Sequence, residues 1–239
     1  MVPALWTCSP KLRFYPKLPA VLLSLIIVAI PFILKDILFT RLGLWGFNPE
    51  YDLGIRLAGL PLEEWLFFII IPYASIFLHE TVVYLKPGWI LTPRLTHIIT
   101  LVLGTCALLL MILFPNRLYT FFNSLFLTGA LLWARWSGSE VIRRFYLTFL
   151  VILVPFMVVN GILTGSLIPG EVVWYNPAGF MGFRIFTIPA EDAGYAFSLI
   201  LCNLLLSETL FRKMQKRGPE KRTPGKGNAF PRQTNHHDA

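Results

Sequence analysis

Long apolar runs, separated by short polar segments that often carry proline, set the rhythm of this chain. A helix needs about 20 apolar residues to cross the hydrocarbon core of a bilayer. Six runs approach or exceed that length, at roughly 19–40, 61–85, 94–114, 117–134, 145–167 and 188–211. The pattern predicts an all-α integral membrane protein with about six transmembrane helices, the fourth run being the shortest.

Composition and charge sharpen this picture. Of the 239 residues, 55% are hydrophobic and 14% charged, about half the charged share of a soluble domain. The net charge of +8 falls between the apolar spans rather than among exposed aromatics, so the expected partner is the lipid bilayer and no nucleic acid. An even number of spans puts both termini on one side. That side then holds Lys11, Arg13, Lys17, Lys86, Arg94, Arg135, Arg143, Arg144 and eight basic residues after Phe211. The opposite side holds only Arg41, Arg56, Arg117 and Arg184. The positive-inside rule therefore predicts a multi-pass cell-membrane protein with both termini cytoplasmic. The stretch 212–239 is rich in Lys, Pro, Gly and Asn and is expected to be a disordered basic cytoplasmic tail. Met1 to Lys17 lacks the apolar core of a cleavable signal. Cys8, Cys106 and Cys202 are too scattered for a disulfide framework or a zinc site. His79 and His97 have no partner at metal-ligand spacing, and His236-His237-Asp238 are read as solvated tail, so no metal is expected.

The chain also repeats itself. At an offset of 128, Asn48-Pro49 meets Asn176-Pro177, Gly54 meets Gly182, Arg56 meets Arg184, Pro61 meets Pro189, Glu63 meets Glu191 and Glu64 meets Asp192. Further on, Glu80-Thr81 meets Glu208-Thr209. At 124, Pro31-Phe32 meets Pro155-Phe156 and Asp36 meets Asn160; at 131, Arg13-Phe14-Tyr15 meets Arg144-Phe145-Tyr146. The small drift marks insertions in loops. The copies start from the same membrane face, so they are expected to be parallel repeats about an axis along the membrane normal. The first repeat, 11–90, lacks the leading helix that the second, 116–211, carries at 117–134; the absence is read as a lost helix or a start site placed too late. The span within 91–115 links the two.

Each repeat opens a membrane-length segment with two adjacent acids, Glu63-Glu64 and Glu191-Asp192. Acids in such a place must be hydrated, paired or protonated. Pro61 and Pro189 suit the first helical turn, and the helix dipole there favours carboxylates, so a capping role is the competing reading. Brought together, four carboxyl groups in unlike surroundings supply both a general acid and a general base. Trp45, Trp65, Phe67, Phe68, Trp174, Tyr195 and Phe197 lie beside them. These aromatics are suited to a membrane-interface belt or to stabilising a carbocation through their π-faces. Glu80 and Glu208, some 24 Å further along the helix, are read as structural hydrogen-bonding groups. Lys35 and Asp36 are read as partly buried charges that pair within the protein.

These residues resemble the FAD-independent, membrane-embedded lycopene cyclases in their fused two-repeat form. The resemblance rests on Pro61-Leu62-Glu63-Glu64 followed by Trp65-Leu66-Phe67-Phe68, on Pro189-Ala190-Glu191-Asp192, and on Trp45-Gly46-Phe47-Asn48-Pro49. It covers about residues 11 to 211. It implies cyclisation of the ψ-ends of lycopene to β-rings, giving γ-carotene and β-carotene by acid/base isomerisation, with Glu63, Glu64, Glu191 and Asp192 as the acid/base set. It implies no cofactor, and no G-x-G-x-x-G fingerprint is visible. The implied partners are lycopene or a related carotenoid, with a homo-oligomer or other carotenoid enzymes as further candidates. Two rivals remain in view. A small proton-coupled transporter would share duplicated halves with intramembrane acids. An intramembrane CAAX-type protease would share Glu-Glu, but Phe68 stands where its arginine belongs.

Overall fold

The computed structural model describes residues 14–138 and 140–217. Six long helices account for most of them: α1 (Leu18–Arg41), α2 (Leu62–Leu85), α3 (Pro93–Leu113), α4 (Leu118–Ser137), α5 (Val141–Leu163) and α6 (Glu191–Arg217). Their outward faces are apolar. On α1, Ile26, Ile30, Leu34 and Leu38 recur every four residues and are all exposed, while Ser24, Lys35 and Asp36 are buried. This is the inverse of a soluble amphipathic helix and suits a lipid surround. On α3, only Thr96 and Ala107 are buried.

Five of the six helices are long and apolar enough to cross a membrane. The chain is an all-α membrane protein, with one adjustment to the six-span expectation. The fourth segment, α4, forms a full helix but falls outside those five, because Tyr119, Thr120, Asn123 and Ser124 make its first turns polar. These side chains are buried against the neighbouring helices rather than presented outward. Boundaries also shift. The fifth helix starts at Val141 and takes in Arg143 and Arg144, which donate to Leu91 O (2.9 Å) and Pro87 O (2.8 Å). The sixth continues to Arg217, past the expected stop at Phe211. Residues 218–239 and the repeat position at Arg13 lie outside the described residues.

Two long connections, between α1 and α2 and between α5 and α6, carry all the strand pairing among the described residues. Loops of this length with so little regular structure usually have a function. In the first, β1 (Trp45–Phe47) is followed by the hairpin β2 (Arg56–Leu57) and β3 (Leu60–Pro61); in the second, β4 (Val173–Tyr175) is followed by β5 (Arg184–Ile185) and β6 (Ile188–Pro189). The hairpins have matching registers, Arg56 opposite Pro61 and Arg184 opposite Pro189. Their turns share a positive φ at equivalent positions, 54° at Ala58 and 56° at Phe186. Strands β1 and β4 pair with each other, antiparallel, with Gly46 opposite Trp174. Pro61 is thus the last strand residue and the cap of α2, with ψ 153°, rather than its first helical residue. A proline tolerates that place because an edge position needs no N–H donor.

The opposite end of the bundle is fastened by charges. Lys17 reaches Glu80 at 2.8 and 3.0 Å, Glu208 accepts from Arg212 at 2.9 Å, and buried His79 meets Thr148 at 2.7 Å. Both glutamates therefore have the structural role expected of them.

Candidate active site

The two acids of each motif diverge from the first helical turn. Glu63 Oε1 turns back to accept the N–H of Leu53 at 2.9 Å, and Glu191 Oε1 accepts the N–H of Met181 at 2.8 Å. Leu53 and Met181 are themselves equivalent at the offset of 128, so the two glutamates do the same thing: each pins its connecting loop onto a helix start. Glu191 is held further by Thr120 Oγ1 at 2.6 Å.

Glu64 and Asp192 point the other way and line one cavity, with Lys35, Asp36, Asn160, Tyr119, Tyr175 and Tyr195 among its walls. Asp192 is 3% exposed and receives three donors: Tyr119 O–H at 2.5 Å, Asn160 Nδ2 at 2.7 Å and Tyr175 O–H at 3.0 Å. Both of its oxygens are engaged, so it is supported as a buried anion. Half-buried Glu64 shares the cavity with Lys35 and Asp36, but no such ring of donors surrounds it among the described residues. Tyr175 lies outside the membrane helices. Burial first, and the Asp192 charge second, pushes its phenol well above the usual tyrosine range, so it stays a donor.

Lys35 and Asp36 are almost wholly enclosed, at 5% and 1% exposure. Their charged atoms are 3.2 Å apart. Asn123 Oδ1 accepts from Lys35 at 3.2 Å, and Tyr195 O–H donates to Asp36 Oδ2 at 3.3 Å. The ammonium also sits 4.1 Å from the ring centre of Tyr195, 5.2 Å from that of Phe39 and 5.6 Å from that of Tyr119. Unpaired, such charges are costly in a membrane interior; here each has a partner, and the aromatic faces of the site already accommodate a cation.

The aromatic residues named from sequence separate into groups. Trp45, Phe67 and Tyr195 line the cavity. Phe68 packs behind it with Phe32 and Leu199. Trp65 donates to Leu57 O at 3.2 Å and so braces the β2–β3 hairpin. Trp174 lies over Gly46. Phe197 belongs to another cluster, 4.9 Å from Phe145 and 5.0 Å from Phe149 between ring centres. Sequence reasoning missed Tyr119, Tyr175 and Asn160 as site residues and left Lys35 and Asp36 outside the site. The repeat held a signal for three of them, since Asp36 pairs with Asn160 and Tyr175 with Phe47. Tyr119 is on α4, for which the described residues of the first half offer no counterpart to compare.

The β1–β4 ribbon roofs the cavity through Trp45, Val173 and Tyr175. The result is a small chamber with a carboxyl that lacks such donors, an anion held by three of them, a fixed cation and aromatic walls. That is equipment for proton transfer to and from an apolar molecule. A family model described as lycopene cyclase matches residues 1–82 and 116–210. The unmatched interval contains α3. No curated protein and no solved structure matches the chain.

Proposed function

The chain belongs to the lycopene cyclase family, and from that premise we propose that it converts the ψ-ends of lycopene to β-rings, giving γ-carotene and then β-carotene. The observation that carries this reading is the common cavity of Glu64 and Asp192, walled by Tyr119, Tyr175, Tyr195 and Phe67. Glu64 gives a proton to C2 of the terminal double bond, leaving a tertiary cation at C1. The C5=C6 double bond attacks C1, which closes the ring and moves the cation to C5. Loss of the proton from C6 to Asp192 forms the ring double bond. Between turnovers Asp192 releases that proton to water and Glu64 takes a new one from water, which restores the site without net redox. Tyrosine π-faces and the Asp192 anion stabilise the cation on the way. Glu63 and Glu191 hold the loops that form the roof.

Several features favour this over a proton-coupled transporter. The acids lie at helix starts under a roof of aromatic residues, and the cavity they share is walled mainly by apolar and aromatic side chains. The reading places the bundle in a cell membrane with both termini cytoplasmic, on the distribution of basic residues, and treats 11–90 and 116–211 as the two repeats.

The test is isotopic. Purified protein in liposomes, given lycopene in D2O under anaerobic conditions with no flavin or nicotinamide, is expected to form product one mass unit heavier per ring. Rings formed without deuterium, or no rings without an added redox cofactor, would refute the mechanism.

A further inference from the structure

We infer that the cleft between α2 and α5 is the side doorway through which one end of a linear isoprenoid hydrocarbon passes from the bilayer to the acid chamber. This rests on the cyclase reading above. The chamber is only about 40 Å3, room for roughly one water molecule, so a ring-forming end group must sit mainly in space adjoining it. A second cavity adjoins it. A cleft of about 220 Å3 runs between Phe67, Ile71 and Ala74 on α2 and Phe156, Val159 and Leu163 on α5. Phe67, Phe156, Asn160 and Leu163 belong to the walls of both spaces.

The pseudo-two-fold makes the cleft an asymmetric feature. Helix α5 corresponds to α1, through Pro155 with Pro31 and Asn160 with Asp36, and α6 corresponds to α2. The seam between α1 and α6 is therefore the counterpart of the seam between α2 and α5. The first is closed by Val28, Ala29 and Phe32 against Tyr195 and Leu199, with the Phe32 and Tyr195 rings 5.5 Å apart. The second is open. Val159 lines the cleft and is also 43% exposed on the outer face of the bundle, so the opening reaches the lipid side. Ser75 and Asn160 are the polar members of its lining, which suits a hydrocarbon chain. A larger cavity of about 510 Å3, among α3, α4, α5 and α6, shares no lining residue with the chamber.

The experiment fills each space in turn. Ala74→Leu, Ala74→Phe and Ala74→Trp are expected to slow ring formation in step with side-chain size, by about a hundredfold at the largest, with unchanged melting temperature. Cys106→Trp, in the larger cavity, is expected to leave the rate as in the parent. In a second measurement, Val159→Cys, with Cys8, Cys106 and Cys202 replaced by serine, is labelled by a maleimide in liposomes. Lycopene is expected to slow that labelling at least about tenfold. A flat Ala74 series in folded protein, or a loss of rate confined to Cys106→Trp, overturns the doorway. Should the Ala74 variants not fold, or the parent form no rings, the labelling decides: no protection by lycopene rejects the cleft. Absence of rings in the parent with protection intact rejects the cyclase reading alone.

Discussion

Gly46 faces Trp174 at the centre of the β1–β4 ribbon, and the two are each other's counterparts at the offset of 128. The ribbon therefore straddles the pseudo-two-fold axis, and the axis passes through the roof of the acid chamber. The pair is also the point of greatest asymmetry, because the Trp174 indole fills the space a side chain at 46 would need. A Cβ there would run into Cζ2 and Cε2 of the Trp174 ring. Gly46→Ala is expected to lower stability by about 1–3 kcal/mol through overpacking and to reduce cyclisation. Gly46→Ala with Trp174→Ala should recover most of the lost melting temperature; no recovery would mean the strain lies elsewhere.

Glu63 and Glu191 anchor loops, so their variants should show in stability before chemistry. Glu63→Ala leaves the Leu53 N–H without its acceptor and Glu191→Ala does the same to Met181. Glu191→Ala, whose bond is partly buried, is expected to cost about 1–3 kcal/mol, and Glu63→Ala, whose exposed Leu53 N–H regains water, about 0.5–1.5 kcal/mol. Glu63→Gln keeps an acceptor oxygen and should retain near-parental melting temperature and product. A complete loss of ring formation in folded Glu63→Gln protein would place that residue in the chemistry.

The buried pair on α1 sets a different pattern. Lys35→Met leaves Asp36 charged and enclosed without its ammonium, and is expected to destabilise by about 3–5 kcal/mol. Lys35→Met with Asp36→Leu removes both charges and should restore most of that stability. Cyclisation should stay impaired in the double variant, because the fixed cation beside Glu64 is gone. Melting temperatures and product formation, measured on the same preparations, separate the two effects.

Tyr175 carries the pH dependence. Its phenol is held above the ordinary value near 10 by burial and by Asp192, so the unfolded chain ionises first. The stability it contributes is present below about pH 10 and is lost as pH rises beyond, at up to ~1.4 kcal/mol per pH unit. Melting temperatures between pH 8 and 11 should fall less steeply for Tyr175→Phe than for the parent. Parallel curves would show that the phenol is not protected.

The sequence made the helices and the paired acids legible because both signals are local: a membrane-length apolar run, and two carboxylates at its head. It did not separate Glu63 from Glu64, since adjacent positions leave a helix at different angles and only the loop that folds back shows which one it meets. The ribbon was equally hidden. Trp45-Gly46-Phe47 and Val173-Trp174-Tyr175 are too short to show strand alternation, and their partners lie more than a hundred residues apart. Lys35 and Asp36 stood out as charges in an apolar span, but placing them beside Glu64 and Asp192 requires the packing of α1 between α2 and α6.

The central claim is that Glu64 and Asp192 act together on one carotenoid end. Its most direct test is the pigment profile of lycopene-accumulating cells expressing the parent, Glu64→Gln or Asp192→Asn, with membrane levels matched by immunoblot. The account predicts mono- and bicyclic carotenes from the parent and unchanged lycopene from both variants. Parental amounts of cyclic product from either variant, at equal membrane level, would contradict it.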